Sequence, residues 1–352
     1  MCFRLLCAAL VLIAAPAWGQ PSVITGRVVD ADDGMGLPGA NVFISGTTRG
    51  TATAADGSFT LRTPLSGDIE LVASVLGYDA RARRLRLAPG DTLRVRLVLS
   101  ETRLSLGEVE VEGWLSDEWR THMEQFQAEF LGRTPNGRQA QFENAWVLDL
   151  ERRGRVLSAT SRAPLVIRNN ALGYRMTLLD LLFEDDGSTL GWVSPVLFEN
   201  LPSSTTPEVQ AARLKAYNGS LRHFLTALVA GRTYEEGFEV RPAEVAGVVS
   251  RAEPLSSRDL ARLLSADSTT ASWRLVSVSP LQIRYAYESS ERPGRLGEDQ
   301  ISWITIDDLF VDIDAQGRML HSRPLTRYGY WDWERTADML PSDYSPDGDS
   351  PS

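Results

Sequence analysis

Chemistry needs side chains that can move protons, hold metals or attack carbonyls, and the 352-residue chain has few arranged for it. Its three histidines are His122, His223 and His321. A peptide-cleaving zinc site needs a His and Glu two residues apart, a distant second His and a general-base Glu. None of the three has a Glu three positions on. His122 and Glu124 make H-x-E, but the deaminase form of that spacing also requires cysteine ligands. Ser220 and His223 lie one helical turn apart, a spacing usual on a solvated helix face. There is no G-x-S-x-G elbow to expose a nucleophile. Asp312-Ile313-Asp314-Ala315-Gln316-Gly317 has the look of a calcium loop. It lacks the ligand pattern and terminal Glu of a hand-type loop, and reads as a hairpin turn. The sequence therefore offers no catalytic residue, no metal site and no cofactor site.

Contact with a ligand has better candidates. Tyr328, Tyr330, Trp331 and Trp333 read as aromatics alternating along a strand, able to stack on sugar rings or anchor a partner. The alternative is that they close a core. Arg222, beside His223, could meet a carboxylate or phosphate; the alternative is an ordinary surface arginine.

These residues need elements to position them, and an address. Arg4, the apolar run Leu5 to Ala15, and Ala17-Trp18-Gly19 have the layout of a secretory signal peptide over residues 1–19. The run is well short of the roughly 20 apolar residues that span a bilayer. Cys7 lies inside the run, badly placed for acylation, and both cysteines would leave with the leader. The expected mature chain then has no disulfide, no thiolate metal site and no cysteine nucleophile. A formal net charge of −10 argues against nucleic acid as a partner. No later segment is apolar enough for a transmembrane helix in the mature chain.

From Val23 to Leu99 the pattern is strand-like. Leu93, Val95, Leu97 and Leu99 alternate with Arg94 and Arg96, and Leu85 and Leu87 with Arg84 and Arg86. Period 2 gives one buried and one wet face, as in an antiparallel sheet. Asp33-Gly34, Pro38-Gly39, Asp56-Gly57 and Pro89-Gly90-Asp91 punctuate these runs, a β-sandwich pattern. The stretch Gly46 to Leu61 reads as strand, turn, strand.

The phrases Ile24-Thr25-Gly26-Arg27-Val28-Val29-Asp30, Leu37-Pro38-Gly39-Ala40-Asn41-Val42, Gly46-Thr47 with Gly50-Thr51, Asp56-Gly57-Ser58-Phe59 and Leu76-Gly77-Tyr78 follow one order. Over residues 22–100 this resembles the carboxypeptidase-regulatory-like domain. The resemblance implies a transthyretin-like seven-stranded sandwich, an accessory to carboxypeptidases rather than their catalytic part. Such modules also open TonB-dependent receptors and many exported proteins of unknown role. Leu106 to Gly113, in the segment 101–113 read as a linker, resembles the lead into a receptor plug. Only 239 residues follow Gly113 here. A plug and 22-stranded barrel need more at about ten residues per strand, so no receptor is expected.

The remainder mixes periods. Leu115, Trp119, Met123, Phe126 and Phe130 are spaced as one helix face, with Ser116 as N-cap and Gly132 beyond. Thr206 and Pro207 open a second helix whose stripe is Leu214, Tyr217, Leu221, Phe224 and Leu228. Gly219 inside it costs about 1 kcal/mol relative to alanine. A third runs from Ser257 to Ser265. Strands are expected over 146–150, 156–161, 174–183, 189–198, 281–287, 301–306 and 309–314. Hairpin turns are expected at Arg153-Gly154, Asp186-Gly187 and Gln316-Gly317. The fold class is thus a β-sandwich N-terminal domain plus an α+β C-terminal domain (114–341) with a mainly antiparallel sheet. The tail 342–352 is read as disordered. The phrases Pro164 to Asn170 with Leu172-Gly173-Tyr174, Tyr217 to Leu225, and Leu340 to Tyr344 look similar to the body of uncharacterised exported proteins carrying this sandwich.

Together these readings predict a non-enzymatic exported envelope protein, periplasmic or associated with the outer membrane, whose partner is an envelope protein or glycan. An envelope hydrolase with a site assembled from distant residues is the alternative; a deep pocket holding two close carboxylates, or histidine with acids, would favour it.

Overall fold

Alternation between Thr92 and Leu99 becomes burial: Val95, Leu97 and Leu99 point inward while Arg94 and Arg96 face water. The computed structural model describes residues 21–102, 116–187, 190–267, 272–320 and 325–346. The expected leader and most of the expected linker lie outside them. Seven strands build the N-terminal sandwich: β1 (Ser22–Asp30), β2 (Asn41–Ile44), β3 (Gly50–Ala52), β4 (Ser58–Thr63), β5 (Gly67–Ser74), β6 (Arg81–Leu87) and β7 (Thr92–Leu99). One sheet has the order β4-β1-β7 and the other β3-β2-β5-β6. Ile24, Val28, Val42, Ile44, Phe59, Leu61, Leu71 and Leu97 fill the space between them. All pairs are antiparallel except β1 with β7. The intervening strands form the long crossover that a parallel pair requires. Asp56-Gly57 turns the chain from one sheet to the other. Gly57 sits at φ 78°, and a Cβ there would lie 2.4 Å from the Val28 carbonyl oxygen, so only glycine fits.

The chain beyond residue 116 is strand-rich, with antiparallel sheets and few helices. Helix α1 (Asp117–Phe130) starts where Ser116 Oγ accepts from the Trp119 amide at 3.0 Å. It buries Met123, Phe126 and Phe130. These meet two four-stranded sheets: Leu190–Val193, Leu182–Asp185, Val156–Ser161 and Leu148–Arg153; and Val196–Asn200, Tyr174–Leu178, Leu165–Asn169 and Ala140–Phe142. The expected strand 174–183 is broken around Asp180, at φ 50°. The expected strand 189–198 is broken before Val196 by Pro195, which has no amide hydrogen for a ladder.

The single long helix expected after Thr206 is two. Helix α2 (Pro207–Tyr217) ends at Asn218, and α3 (Leu221–Val229) starts afresh under a Ser220 cap. Gly219, at φ 71°, is the corner between them, not a flaw inside one helix. A Cβ on it would approach the Tyr285 ring to 2.6 Å. The stripe breaks with the helix, and Leu214 is 42% exposed. Helix α4 (Ser257–Arg262) has a Ser256–Asp259 capping box and gives way to the strand Leu264–Asp267. Helix α3 packs its Phe224, Leu225 and Leu228 into a second core with Phe238, Ile283, Ile304 and Ile313. Those come from sheets ordered Phe238–Pro242, Leu281–Ser289, Asp299–Ile306, Leu325–Gly329; and Leu264–Asp267, Ser272–Leu275, Val311–Asp314. Residues after 116 thus carry two hydrophobic cores. A one-turn helix, α5 (Tyr330–Trp333), follows the strand Leu325–Gly329.

The expectation of a disordered tail from residue 342 fails for its first residues. The Ser342 amide donates to the Gly46 carbonyl at 2.7 Å. Asp343 accepts from the Thr48 amide at 3.0 Å, from Thr48 Oγ1 at 2.5 Å and from Arg49 Nε at 3.1 Å. A polar composition here makes a hydrogen-bonded clamp rather than a solvated end.

Candidate ligand-binding cavity

The segment from Glu334 to Tyr344 runs as a seam past all three cores. Near its start, the Ala337 amide donates to the Leu131 carbonyl beyond α1, and Asn169 Nδ2 donates to the Ala337 carbonyl at 2.7 Å. Asp338 accepts from Thr134 Oγ1, from Asn136 Nδ2 and from the Arg335 amide. Further on, Arg222 of α3 donates to the Pro341 carbonyl at 2.8 Å and the Tyr344 carbonyl at 3.3 Å. At its end stands the Asp343 clamp on the sandwich turn. That turn also extends a sheet of the neighbouring core: the Gly46 amide donates to Val196 and the Phe198 amide to Thr47. Phe43 and Val72 of the sandwich pack with Leu179 beside it. The three phrases singled out after residue 160 converge on this seam, and the Gly46–Gly50 stretch meets them there.

Between the sandwich, α3 and the seam lies a cavity of about 550 Å³. Asp68, Ile69, Glu70 and Arg84 supply its sandwich wall; Tyr217, Arg222 and Leu225 come from the helices; Arg327, Trp331, Glu334, Asp338 and Met339 close it. Several of its arginines are engaged. Arg318 donates to Asp314 at 2.5 Å and to the Ser66 carbonyl at 2.9 Å. Arg335 pairs with Asp332 at 2.9 Å, and Arg222 holds the seam.

Two groups stand apart. The Arg327 side chain makes no hydrogen bond or ion pair with a described residue. Its surface is open to solvent, yet protein surrounds it, and that desolvation lowers its pKa against the pull of Glu334 and Asp332. Such a combination belongs to a side chain in a recess. The Glu334 carboxyl likewise has no hydrogen-bonded partner among the described residues. Burial pushes its carboxyl well above the usual carboxylate range; Asp338 and Glu288 add to this, and Arg327 opposes it. Burial also raises Asp338, to about 6, although its hydrogen bonds pull the other way.

The residues proposed from sequence divide. Arg222 and Trp331 line this cavity. Trp331 is buried and donates from Nε1 to the Gly219 carbonyl at 2.6 Å. Tyr328 and Tyr330 line a different hollow of about 310 Å³ with Arg292, Arg295 and Trp303. Trp333 packs on Tyr330, centroids 5.2 Å apart. Only Tyr328 lies in a strand; the other three occupy the turn of α5, so the expected alternation along a strand does not occur. His223 is buried rather than on a solvated face. Its Nδ1 accepts from the Gly219 amide, Nε2 is 3.4 Å from Glu236, and desolvation lowers its pKa despite that carboxylate. Ser220 Oγ accepts from the His223 amide as a cap. His321 lies outside the described residues. Asp314 accepts from the Gln316 and Arg318 amides as a turn. Among the described residues, no three His, Cys, Asp or Glu side chains stand together as metal ligands. Nor is any helix among them long and apolar enough to cross a membrane. Arg327, Glu334 and Asp338 escape sequence reasoning; for the first two the signal is charges placed at the ends of the aromatic run Arg327-Tyr328-Gly329-Tyr330-Trp331-Asp332-Trp333-Glu334, and Asp338 lies beyond it.

Residues 24–111 match the family model of the CarboxypepD_reg-like domain. The last residues of that match lie outside the described ones. TonB-dependent receptor P3 of Formosa agariphila is 31% identical over 105 residues, which are 30% of this chain and 10% of the receptor. The chain thus spans about a tenth of that relative's length. Among solved structures, a type II cohesin–X-dockerin complex from Acetivibrio cellulolyticus matches at 16% identity over 23% of this chain and 58% of that one, TM-score 0.21. Catechol 1,2-dioxygenase from Acinetobacter sp. ADP1 matches at 14% over 25% and 55%, TM-score 0.21. Likeness at that level carries no argument about this chain.

Proposed function

We propose that this chain is an exported cell-envelope protein that binds rather than catalyses. In this reading the sandwich and an α+β unit over residues 114–341 hold the seam cavity between them. Its occupant is a segment of an envelope protein or a glycan fragment, met in the periplasm or at the outer membrane. The module match over residues 24–111 and the receptor relative support the envelope setting. One observation carries the binding reading: a cavity of about 550 Å³ walled by both parts, with Arg327 and Glu334 unpartnered on its surface. That volume is in the range of roughly 300–1,000 Å³ typical of ligand sites. A ligand can supply the hydrogen-bond partner that these two side chains lack among the described residues.

The test is a thermal-shift screen of the full chain against short peptides and neutral and acidic glycan fragments, with the cavity-filling variant Leu320→Trp as control. Stabilisation by a panel member that L320W abolishes supports the reading. No shift from any class, or shifts that L320W leaves intact, overturns it.

The hydrolase reading keeps one observation in its favour: Glu334 and Asp338 share the cavity, both with raised pKa values. Against it, both Asp338 oxygens already accept hydrogen bonds, which suits a fixed structural acid better than half of a proton-transfer pair. Turnover of peptides, esters or glycans at enzymatic rates, lost in Glu334→Gln, would move the assignment to this second reading.

A further inference from the structure

Resting on that binding reading, we propose that the seam cavity takes a ligand bearing a single carboxylate, held by the Arg327 guanidinium beside Glu334. The cavity's charges point to one anionic group. Arg222, Arg318 and Arg335 have their donors on carbonyls or carboxylates of the protein. Arg327 alone of these four makes no such contact with a described residue. A guanidinium presents two parallel donors that match the two oxygens of a carboxylate.

The surrounding acids set the limit on charge. Glu334, Asp338, Asp68 and Glu70 all line the cavity. A dianion such as phosphate would meet Arg327 but also repulsion from Asp338, and one free guanidinium balances one negative charge. Glu334 suits the same ligand. Burial raises the pKa of its carboxyl and so favours the protonated form, which can donate a hydrogen bond where an ionised neighbour would repel. The apolar wall of Leu225, Leu320, Trp331 and Met339 accommodates the carbon part.

Two sources share this chemistry: the carboxylate of an acidic glycan fragment and the free C-terminus of a peptide. Ligand-observed NMR titration of the full chain with acetate, inorganic phosphate, and trialanine as free acid or C-terminal amide separates them. Acetate and free-acid trialanine should bind, and phosphate and the amide should not. Free-acid trialanine binding at least tenfold tighter than acetate would identify a peptide end; equal affinities would identify recognition of the carboxylate alone, as on an acidic glycan. Arg327→Gln should weaken carboxylate binding at least tenfold, Arg327→Lys by less, and Arg155→Gln, on a distant hairpin, not at all. Removing an unpaired charge should leave the fold intact. If R327Q fails to fold, R327K carries the test, because it keeps the charge and loses the fork.

Phosphate or the amide binding as well as the free acid overturns the proposal, as does wild-type affinity in R327Q or, where only R327K folds, in R327K. If a neutral glycan binds in an L320W-sensitive way and no carboxylate does, the binding reading stands and this proposal alone falls. If no compound of any class binds, both fall.

Discussion

The sandwich interior and the seam cavity solve opposite problems with neighbouring stretches of chain. Inside the sandwich, strands from two sheets meet through aliphatic and aromatic side chains, with Ile24, Val42, Leu71 and Ala73 fully shielded. Every buried apolar atom there gains by leaving water, at roughly 25 cal/mol per Å². At the seam the same sandwich presents Asp68, Glu70 and Arg84 to a hollow whose far wall carries arginines and acids. That hollow is left open at a cost: it forfeits packing and holds charges in poor solvation. The side chains of the core satisfy one another, whereas the seam leaves the Arg327 and Glu334 side chains without a hydrogen-bonded partner among the described residues.

The largest effect should come from breaking the first side of that contrast. Leu71→Ala removes a side chain that is fully buried between the sheets and should cost about 2–5 kcal/mol. Urea unfolding followed by circular dichroism measures it. A loss below about 1 kcal/mol would mean the sandwich interior is not the tightly packed core described.

Breaking the clamp should cost less and act locally. The Asp343 side chain is only 3% exposed and accepts three hydrogen bonds from Thr48 and Arg49. Hydrogen bonds to a charged group contribute about 1.5–3 kcal/mol. Asp343→Ala should therefore raise amide exchange at Thr48, whose amide loses its acceptor, while Leu71 and Phe126 stay protected. Uniform loss of protection across all three cores would show instead that the seam and the cores unfold together.

The two sides also differ in how readable they are. Alternation over Thr92 to Leu99 repeats one period for eight residues, so packing and local pattern agree and the sandwich is legible. Helix α1 is legible for the same reason, with Ser116 capping a single clean face. The cavity is assembled differently. Arg327 sits on a strand, Trp331 on a one-turn helix, Glu334 just past its end, and Asp338 in a 3-10 turn. Four conformations in twelve residues leave no period to detect. Gly219 shows the limit in another form: its cost as a helix residue was visible, but its use as a left-handed corner depends on the Tyr285 ring that fills the space beside it.

The smallest effect tests the cavity's electrostatics, and its sign separates the two sides. Cutting into the sandwich must destabilise, whereas neutralising Glu334 should stabilise. An acid whose folded pKa lies above its unfolded value holds its proton longer in the folded state. Its favourable contribution is complete below the unfolded value, near 4.5 for Glu334, and is lost as pH rises toward the folded one. Asp338 adds a decline of the same sign between its ordinary 3.8 and about 6. Wild-type Tm should therefore carry a falling component as pH climbs from 4 to 8. Glu334→Gln keeps the shape of the protonated side chain and cannot ionise, so it removes that residue's share of the slope and leaves that of Asp338. The difference in Tm between variant and wild type should be near zero at pH 4 and positive at pH 8, by roughly 2–4 °C for each kcal/mol relieved. Thermal melts at four pH values measure it. A variant less stable than wild type at pH 8 would mean that Glu334 is ionised and useful to the fold, which would remove the proton donor from the proposed carboxylate site.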